Sequence, residues 1–392
     1  MSHQLLERII RRQPLSDEER HVLEALRALV AERIAPRAEA HDRDADFPWD
    51  NVQDLNGLDL NLAFLPAANG GAELSYRCYL LLVEELSAGC ASTGVTWATT
   101  FHAVSPLIDF GSEDQKARLL PAIAGGGLGA LAITEASGGS DATSMSTSFV
   151  PDGDEVVVNG DKLFITNGDV ADLYLVFGKW AGIEDPRASL SALVIEKGTP
   201  GLEVGAKEDK MGHRASSTVA LGFRDCRVPA ANLLQEPGAG RRILFSALNK
   251  SRPSIAAHAL GIARASFDDA VAYVNERRQF GQAVVDFQGV QFMLADLATK
   301  LALTQSWLFH VAGLVEDGEE AATEASIFKL AASDLAMESA SAAVQLHGGY
   351  GYCKGVRPER LFRDAKLTQI WEGTNQLQRQ AIGRAFRERR RG

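Results

Sequence analysis

A single carboxylate in residues 369–376, Gln-Ile-Trp-Glu-Gly-Thr-Asn-Gln, is the strongest candidate for chemistry in this chain. Glu372 stands between the aromatic Trp371 and Gly373, and two residues that can form side-chain hydrogen bonds follow. An arginine-rich segment predicted to be helical, residues 357–366, precedes it. This arrangement is expected of a general base held against a flat cofactor. It is equally typical of a helix that ends at a glycine beside a solvated glutamate.

A loop of small residues is the second candidate. Residues 131–141, Leu-Ala-Ile-Thr-Glu-Ala-Ser-Gly-Gly-Ser-Asp, predict a short apolar strand that runs into this loop. Gly138 and Gly139 allow backbone N–H groups to approach a ligand closely, and Thr134 and Ser140 add hydroxyl groups. Such a loop suits a phosphate group or the edge of a flavin ring. An ordinary Gly-Ser turn would have the same composition.

A third segment, residues 162–168, reads Lys-Leu-Phe-Ile-Thr-Asn-Gly and predicts a strand. The alternation of side chains along a strand places Phe164 and Thr166 on one face. An aromatic ring beside a hydroxyl group could stack on a planar cofactor and bond to it. Alternatively, Phe164 lies in the core of a barrel and Thr166 lines it.

Two further segments combine charged or glycine residues in a way that suits a nucleotide. Arg277 and Arg278 could bind pyrophosphate, because a guanidinium group matches phosphate geometry, while Gln279 and Gln288 could contact adenine or ribose. A solvated helix C-terminus explains the arginines as well. Residues 345–351, Gln-Leu-His-Gly-Gly-Tyr-Gly, predict a helix cap and turn that also permit close approach of a ligand.

Composition and missing motifs exclude several function classes. A net charge of −11 over 392 residues argues against nucleic-acid and anionic-membrane partners, and no apolar run is long enough to span a membrane. Four cysteines without CxxC spacing predict neither disulfides nor a metal site, which fits a reduced, cytoplasmic setting. The N-terminus lacks the apolar segment of a signal peptide. Dinucleotide, P-loop, zinc-protease and serine-hydrolase motifs are all missing.

The order of predicted elements divides the chain into three domains: 1–130 helical, 131–238 built of short strands, and 239–392 helical. In the first domain, Leu23, Leu26, Leu29 and Val30 form an apolar helical stripe, and Pro121 is expected to end a later helix. In the second domain, strands are expected over residues 172–179, 190–196 and 218–223. Asn159-Gly160 predicts a hairpin turn between strands at 156–158 and 164–165.

Six segments, taken in order, resemble the acyl-CoA dehydrogenase family of flavoenzymes. They are LAITEASGGSD, KLFITNG, DKMGHRASSTVALGFRDCRVPAANLL, ERRQFGQAVVDFQGVQFMLAD, QLHGGYGY and ERLFRDAKLTQIWEGTNQLQR. The resemblance implies a multidomain α+β fold with an N-terminal α-helical domain, a central β-barrel domain and a C-terminal four-helix bundle. It also implies noncovalent FAD and a homotetramer built from two dimers, with part of each flavin site supplied by a neighbouring subunit.

The resemblance assigns roles to individual residues. Glu372 matches the catalytic base, which some relatives carry instead near the position of Ser251. Positions that match FAD contacts are Leu131, Ile133, Thr134, Gly139, Ser140, Phe164, Thr166, Arg277, Gln279, Phe287, Gln288, Gln345, Gly349, Thr374 and Gln376. Positions that match the substrate site are Ser140, Asn249, Arg252, Trp371 and Gly373.

The chain departs from the family pattern at four of these places. Glu-Ala-Ser-Gly-Gly-Ser replaces the usual Glu-Pro-Gly-Ala-Gly-Ser, and Phe164 stands where tryptophan is more frequent. Small residues persist in the loop, so flavin binding is expected to survive. Asn249 and Trp371 stand where aspartate and tyrosine are common. These two changes affect the substrate rather than the cofactor.

The implied reaction is α,β-dehydrogenation of an acyl-CoA in fatty-acid metabolism. Glu372 would take the α-proton, flavin N5 would take the β-hydride, and an electron-transferring flavoprotein would reoxidise the flavin. Three alternatives stay open: an acyl group held by a carrier protein, a flavin oxidase or monooxygenase of the same fold, and a non-catalytic flavin or acyl-CoA binding protein. Trp97 and Trp371 could narrow the acyl pocket towards short, branched or cyclic groups.

Overall fold

The computed structural model describes residues 2–387, with side chains from residue 6 onward. The last five residues of the expected third domain therefore lie outside the described residues. The N-terminal part is helical, as predicted. Its helices are α1 (Ser2–Ile10), α2 (Asp17–Leu29), α3 (Ala35–Asp44), α4 (Trp49–Asn56), α5 (Tyr76–Gly89), α6 (Ala91–Phe110) and α7 (Glu113–Ala124).

Capping side chains and apolar stripes explain where these helices begin and what they bury. Ser16 accepts a hydrogen bond from the backbone N–H of Glu19, whose carboxylate accepts one from the Ser16 N–H in return. Leu23 and Leu26 on the predicted stripe of α2 are buried. Ser112 and Gln115 form the same reciprocal cap at the start of α7. The predicted stripe is confirmed.

The expected end of a helix at Pro121 is wrong, because α7 continues through this residue to Ala124. A proline inside a helix removes one backbone hydrogen bond and costs about 3 kcal/mol. Leu119, Leu120 and Ile123 on either side of it are buried in a core shared with the sheet. Burial of these side chains offsets the local cost.

The central part forms one seven-stranded sheet that curls into a half-barrel. The strands are β1 (Gly129–Ala132), β2 (Ser148–Asp152), β3 (Glu155–Thr166), β4 (Leu173–Trp180), β5 (Leu190–Glu196), β6 (Leu202–Lys207) and β7 (Thr218–Pro229). Strands β1 and β2 both pair in parallel with β4, β5 pairs with residues Leu173–Lys179 of β4, and β3 pairs with β2 and β7. The three predicted strands correspond to β4, β5 and the first half of β7.

The predicted hairpin turn at Asn159-Gly160 is wrong, because both residues lie inside the continuous strand β3. The turn lies earlier, at Gly153-Asp154, between the paired residues Asp152 and Glu155. Gly160 has a φ of +147°, and a Cβ there would lie 2.6 Å from Thr147 Oγ1 and 2.8 Å from its Cα. The glycine is thus needed for a close approach and a bulge within a strand rather than for a turn.

The C-terminal part is again helical and surrounds the long helix α8. Its elements are α8 (Gly240–Glu276), β8 (Arg278–Gln279), β9 (Gln282–Ala283), α9 (Gln288–Glu316), α10 (Ala322–His347), α11 (Arg357–Thr368) and α12 (Asn375–Ala385). Helix α8 packs against both α10 and the N-terminal helix α5. The predicted order of helical, β and helical domains is confirmed. Within residues 2–387, no helix is both long and apolar enough to cross a membrane.

Candidate active site

Glu372 lies on the short turn between α11 and α12, in a backbone conformation that side chains rarely adopt. Its φ is +51°, and Gly373 follows with a φ of +87°. A positive φ at a residue other than glycine is strained, so the surrounding contacts must hold it. Thr374 caps α12 by accepting a hydrogen bond from Leu377 N–H at 3.3 Å, which fixes the far end of the turn.

Hydrogen bonds from two side chains hold the carbonyl groups of this turn. Lys329 Nζ donates to the Gly373 carbonyl and to Asn375 Oδ1, both at 2.8 Å. Gln378 Nε2 donates to the carbonyls of Glu372, at 3.1 Å, and Gly373, at 2.8 Å. The backbone N–H of Glu372 has no hydrogen-bond partner in the part of the chain that the structure describes. It is therefore free to donate to a ligand.

The Glu372 carboxylate contacts helix α8 and lies among cationic groups. Ser251 Oγ donates a hydrogen bond to Glu372 Oε2 at 2.5 Å. Burial lowers the pKa of the neighbouring Arg252, and attraction to Glu372 partly offsets the effect. Burial also lowers the pKa of Lys329 to about 8, again opposed by Glu372. Two cationic side chains, one of them fully buried, thus lie close to the Glu372 carboxylate.

Trp371 packs against two buried histidines. Its ring centroid lies 5.0 Å from that of His213 and 5.5 Å from that of His258. The two Nε2 atoms are 2.8 Å apart, and His258 Nδ1 lies 2.7 Å from Ser87 Oγ. The Ser87 hydroxyl donates to the Val83 carbonyl, so the Ser87 oxygen accepts from His258 Nδ1–H. The neutral His258 ring carries only this one N–H, so its Nε2 must accept from His213 Nε2–H. Burial lowers the pKa of His258 to about 3, and that of His213 also falls, so both are neutral at pH 7.

A buried ion pair joins the loop after β1 to strand β3. Lys162 Nζ lies 2.9 Å from Glu135 Oε1, and both side chains are almost completely buried. Although burial opposes it, hydrogen bonds from Ser146, Thr147 and Lys162 lower the pKa of Glu135 to about 2. Burial lowers the pKa of Lys162 to about 8. Neither residue was predicted from the sequence to have a role. The only signal was a lysine within a strand pattern, shortly after the Thr-Glu of the loop.

This pair brings the candidate residues of the loop next to those of the strand. The Leu163 N–H donates to the Thr134 carbonyl at 2.9 Å. Leu131 lies in β1, with Ile133 directly after it, whereas Gly139 and Ser140 lie in the exposed part of the loop. The start of the loop after β1 and the second half of β3 therefore lie side by side.

Phe164 points away from the core, so its alternative assignment as a barrel-core residue is wrong. It has a φ of +57° in a second irregularity of β3, and 64% of it is exposed. The partly buried Thr166 is paired with Thr218. The segment just before Thr218 contains His213, which contacts Trp371. The end of β3 is thus linked to the turn that carries Glu372.

Six predicted cofactor positions lie far from Glu372 in the same chain. Arg277 follows Ser251 by 26 residues along α8, which corresponds to roughly 39 Å. The ring of Tyr273 stacks on His347 at 4.2 Å, which places the C-terminal end of α10 at the same distant end. The positions concerned are Arg277, Gln279, Phe287, Gln288, Gln345 and Gly349. Of the others, Asn249 lies on α8 two residues before Ser251, and Gln376 is exposed on the first turn of α12.

Several groups around Glu372 suit a planar ligand with polar edges. Trp371 Nε1, Arg252 Nε and His102 Nε2 are buried without a hydrogen-bond partner among the described residues. Buried polar atoms of this kind are rare, and they indicate a missing partner. These groups and the exposed ring of Phe164 are of the chemical types that contact a planar cofactor and a polar substrate group.

Domain families match the chain along most of its length. The family described as "Acyl-CoA dehydrogenase, N-terminal domain" matches residues 16–127, and the corresponding middle domain matches residues 130–226. The family described as "Acyl-CoA dehydrogenase, C-terminal domain" matches residues 238–386. These matches follow one another without overlap, so the similarity extends over the whole three-part fold.

Curated proteins of similar length resemble the chain. An acyl-CoA dehydrogenase of Bacillus subtilis (strain 168) is 41% identical over 361 residues, which cover 92% of this chain and 95% of that protein. A cyclohex-1-ene-1-carbonyl-CoA dehydrogenase of Geobacter metallireducens is 41% identical over 376 residues, covering 95% of this chain and 98% of that protein.

Solved structures share the fold at similar coverage. The butyryl-CoA dehydrogenase of Megasphaera elsdenii superposes with a TM-score of 0.92 at 36% identity, covering 95% of this chain and 99% of that chain. The prolyl acyl carrier protein oxidase AnaB superposes with a TM-score of 0.89 at 30% identity, covering 94% of this chain and 99% of that chain.

Proposed function

The chain belongs to the acyl-CoA dehydrogenase family of FAD-dependent enzymes, and we propose that it catalyses α,β-dehydrogenation of an acyl-CoA with Glu372 as the base. One observation carries the proposal. The Glu372 carboxylate accepts a hydrogen bond from Ser251, on a turn whose backbone N–H has no partner among the described residues. A base and an adjacent N–H donor are the two groups that removal of a proton beside a carbonyl requires.

In the proposed reaction, Glu372 removes the α-proton of the thioester, and its N–H donates to the thioester carbonyl oxygen. Ser251 orients the carboxylate, while Lys329 and Gln378 hold the turn so that its N–H stays in place. When bound, FAD supplies the acceptor for the hydrogen that leaves the β-carbon.

We expect FAD to be held by residues on the surface beside β1 and β3. Phe164 would pack against the ring system, while Thr166, Thr134 and Ser140 would supply hydroxyl groups. The exposure of Phe164 supports this assignment. The six predicted positions at the far end of α8 and α10 would serve the flavin of a neighbouring subunit.

Replacing Glu372 by glutamine tests the proposed base. We expect anaerobic bleaching of the bound flavin by butyryl-CoA to slow by about 100-fold or more, since general bases contribute 10²–10⁴-fold. Glu338→Gln, which removes an exposed carboxylate paired with Lys300, serves as the matched control and should bleach normally. Bleaching of Glu372→Gln at the wild-type rate would exclude Glu372 as the base. A wild-type protein whose flavin no thioester reduces would favour a binding protein instead.

A second candidate function is oxidation of an acyl group carried by a protein. The likeness to the carrier-protein oxidase AnaB favours it. Steady-state assays with butyryl-CoA and with butyryl carrier protein, under air and with an added electron-transferring flavoprotein, separate the two. We expect turnover with the CoA ester and with the flavoprotein acceptor. Hydrogen peroxide formation in step with turnover of the carrier-protein substrate alone would favour the oxidase.

A further inference from the structure

A cluster of four aromatic side chains begins with Tyr79, one helical turn beyond the candidate base. Ser251, which bonds to Glu372, and Ser254 are separated by one turn of α8, so they share one side of that helix. The Ser254 hydroxyl lies 2.7 Å from the phenol oxygen of Tyr79 on α5. The side of α8 that presents the base therefore continues directly to Tyr79.

Tyr79 belongs to a closely packed set of rings, which we call the aromatic partition: Phe64, Tyr79, Trp97 and Phe101. The Tyr79 ring centroid lies 4.3 Å from that of Phe101, 4.8 Å from that of Phe64 and 5.6 Å from that of Trp97. Phe64 also contacts Trp97 and Phe101 edge-on, at 5.4 Å in each case. Rings in contact on several sides move little, because protein interiors are close-packed.

An apolar cavity lies on the other side of the aromatic partition. Phe64, Trp97 and Phe101 line one wall of it, and Leu65, Val104 and Leu128 line others. Tyr79, which faces the base through Ser254, does not line this cavity. The aromatic partition therefore separates the surroundings of Glu372 from an apolar space between α4, α6 and α7.

We propose that the aromatic partition limits the substrates of this protein to short acyl groups, and that the cavity behind it is a closed extension of the acyl site. The inference rests on the proposed function. One turn of helix is about 5.4 Å, a distance that an acyl chain of roughly four carbons spans. A longer chain would meet the rings instead of the apolar cavity.

Phe101 is the side chain to remove, because it touches Tyr79 on one side and lines the cavity on the other. It makes no side-chain hydrogen bond, so trimming it leaves the bond between Tyr79 and Ser254 in place. Each additional methylene group that becomes buried contributes about 0.8 kcal/mol. Opening the partition should therefore change the preference for chain length more than the rate with a short substrate.

The experiment measures kcat/KM of the FAD-loaded enzyme with butyryl-, hexanoyl-, octanoyl- and dodecanoyl-CoA. We expect wild type to prefer the two short esters, and Phe101→Ala to raise the octanoyl-to-butyryl ratio by about 10-fold or more. Phe309→Leu, a buried phenylalanine on α9 outside the aromatic partition, should leave the ratio unchanged. If Phe101→Ala does not fold, Phe101→Leu provides the milder change.

Two results would overturn the inference. One is a wild-type kcat/KM for dodecanoyl-CoA equal to that for butyryl-CoA, and the other is an octanoyl-to-butyryl ratio that stays the same in the Phe101 variants. In both cases butyryl-CoA still reduces the flavin, so the proposed function survives. If no acyl-CoA reduces the wild-type flavin, the proposed function fails, and this inference fails with it.

Discussion

The contact between Ser251 and Glu372 places two alternative positions for a base at one point in space. The resemblance identified Glu372 as the base and Ser251 as the place where some relatives carry it. In the structure, Ser251 Oγ and Glu372 Oε2 are 2.5 Å apart although the residues are 121 positions apart in sequence. A carboxylate attached to either backbone position could therefore reach the same substrate atom.

Moving the base tests this geometry. Glu372→Gly should lower the rate of flavin reduction by about 100-fold or more, and adding Ser251→Glu should restore a large part of it, because the new carboxylate starts from the contact point. Single-turnover bleaching with butyryl-CoA measures both variants.

Asn249→Glu in the Glu372→Gly background is the matched control. Residues two apart on a helix face different directions, so this carboxylate should not restore the rate. Recovery with Asn249→Glu, or none with Ser251→Glu, would contradict the assigned geometry.

At the level of secondary structure, strand β3 decides how the cofactor surface is built. Its buried Lys162 is held by Glu135 from the loop after β1, and its irregular backbone turns Phe164 outward. Simple alternation predicts the shared face of Phe164 and Thr166, but not the bulges or the ion pair. Those features depend on the partners β7 and the 135–147 loop, which are distant in sequence.

Glu135→Gln should destabilise the protein by about 3–5 kcal/mol near pH 7, because it leaves Lys162 buried without its counter-charge. The effect should depend on pH. The pKa of Glu135 is lowered from 4.5 to about 2 in the folded state, so its stabilisation is complete above pH 4.5 and is lost as the pH falls towards 2. Chemical denaturation across this pH range should show the wild type and the variant converging in acid.

Glu155→Gln is the control for this experiment. Its ion pair with Arg227 is exposed, so the change should cost less than about 1 kcal/mol at any of these pH values. The difference in free energy of unfolding between wild type and Glu135→Gln should shrink in acid. A difference that stays constant down to pH 2 would show that the Glu135–Lys162 pair does not stabilise the folded protein in this way.

For the molecule as a whole, helices from both ends of the chain share one hydrophobic core. Leu26 and Leu82 of the N-terminal helices belong to the same buried cluster as Leu260 and Phe328 of the C-terminal helices. This core fixes α5 beside α8, and so brings Tyr79 to Ser254. Helix α8 also extends roughly 39 Å from Ser251, which contacts Glu372, to Arg277.

We therefore expect the positions at the far end of α8 to serve the flavin of a neighbouring subunit. Phe280, at the tip between β8 and β9, is 94% exposed in the single chain, as expected for a ring that a second copy covers. Phe280→Glu should weaken assembly and flavin retention together. Sedimentation velocity and the ratio of absorbance at flavin and protein wavelengths measure these two properties.

Phe386→Glu changes another largely exposed phenylalanine and is expected to alter neither property. A Phe280→Glu protein that assembles and retains flavin as wild type does would contradict the role of this tip.

The sequence alone determined the kinds of elements, their order and the residue types of the candidate site. Helical stripes, strand composition and motifs such as the octet at residues 369–376 depend on neighbouring residues, which a sequence displays directly. The tertiary structure decided which of these residues meet. Gly160 lies in a bulge where only a glycine allows the close approach of Thr147, Phe164 is turned outward, and the rings of Phe64, Tyr79 and Phe101 pack together. Such contacts depend on packing between distant segments, and no local pattern encodes that packing.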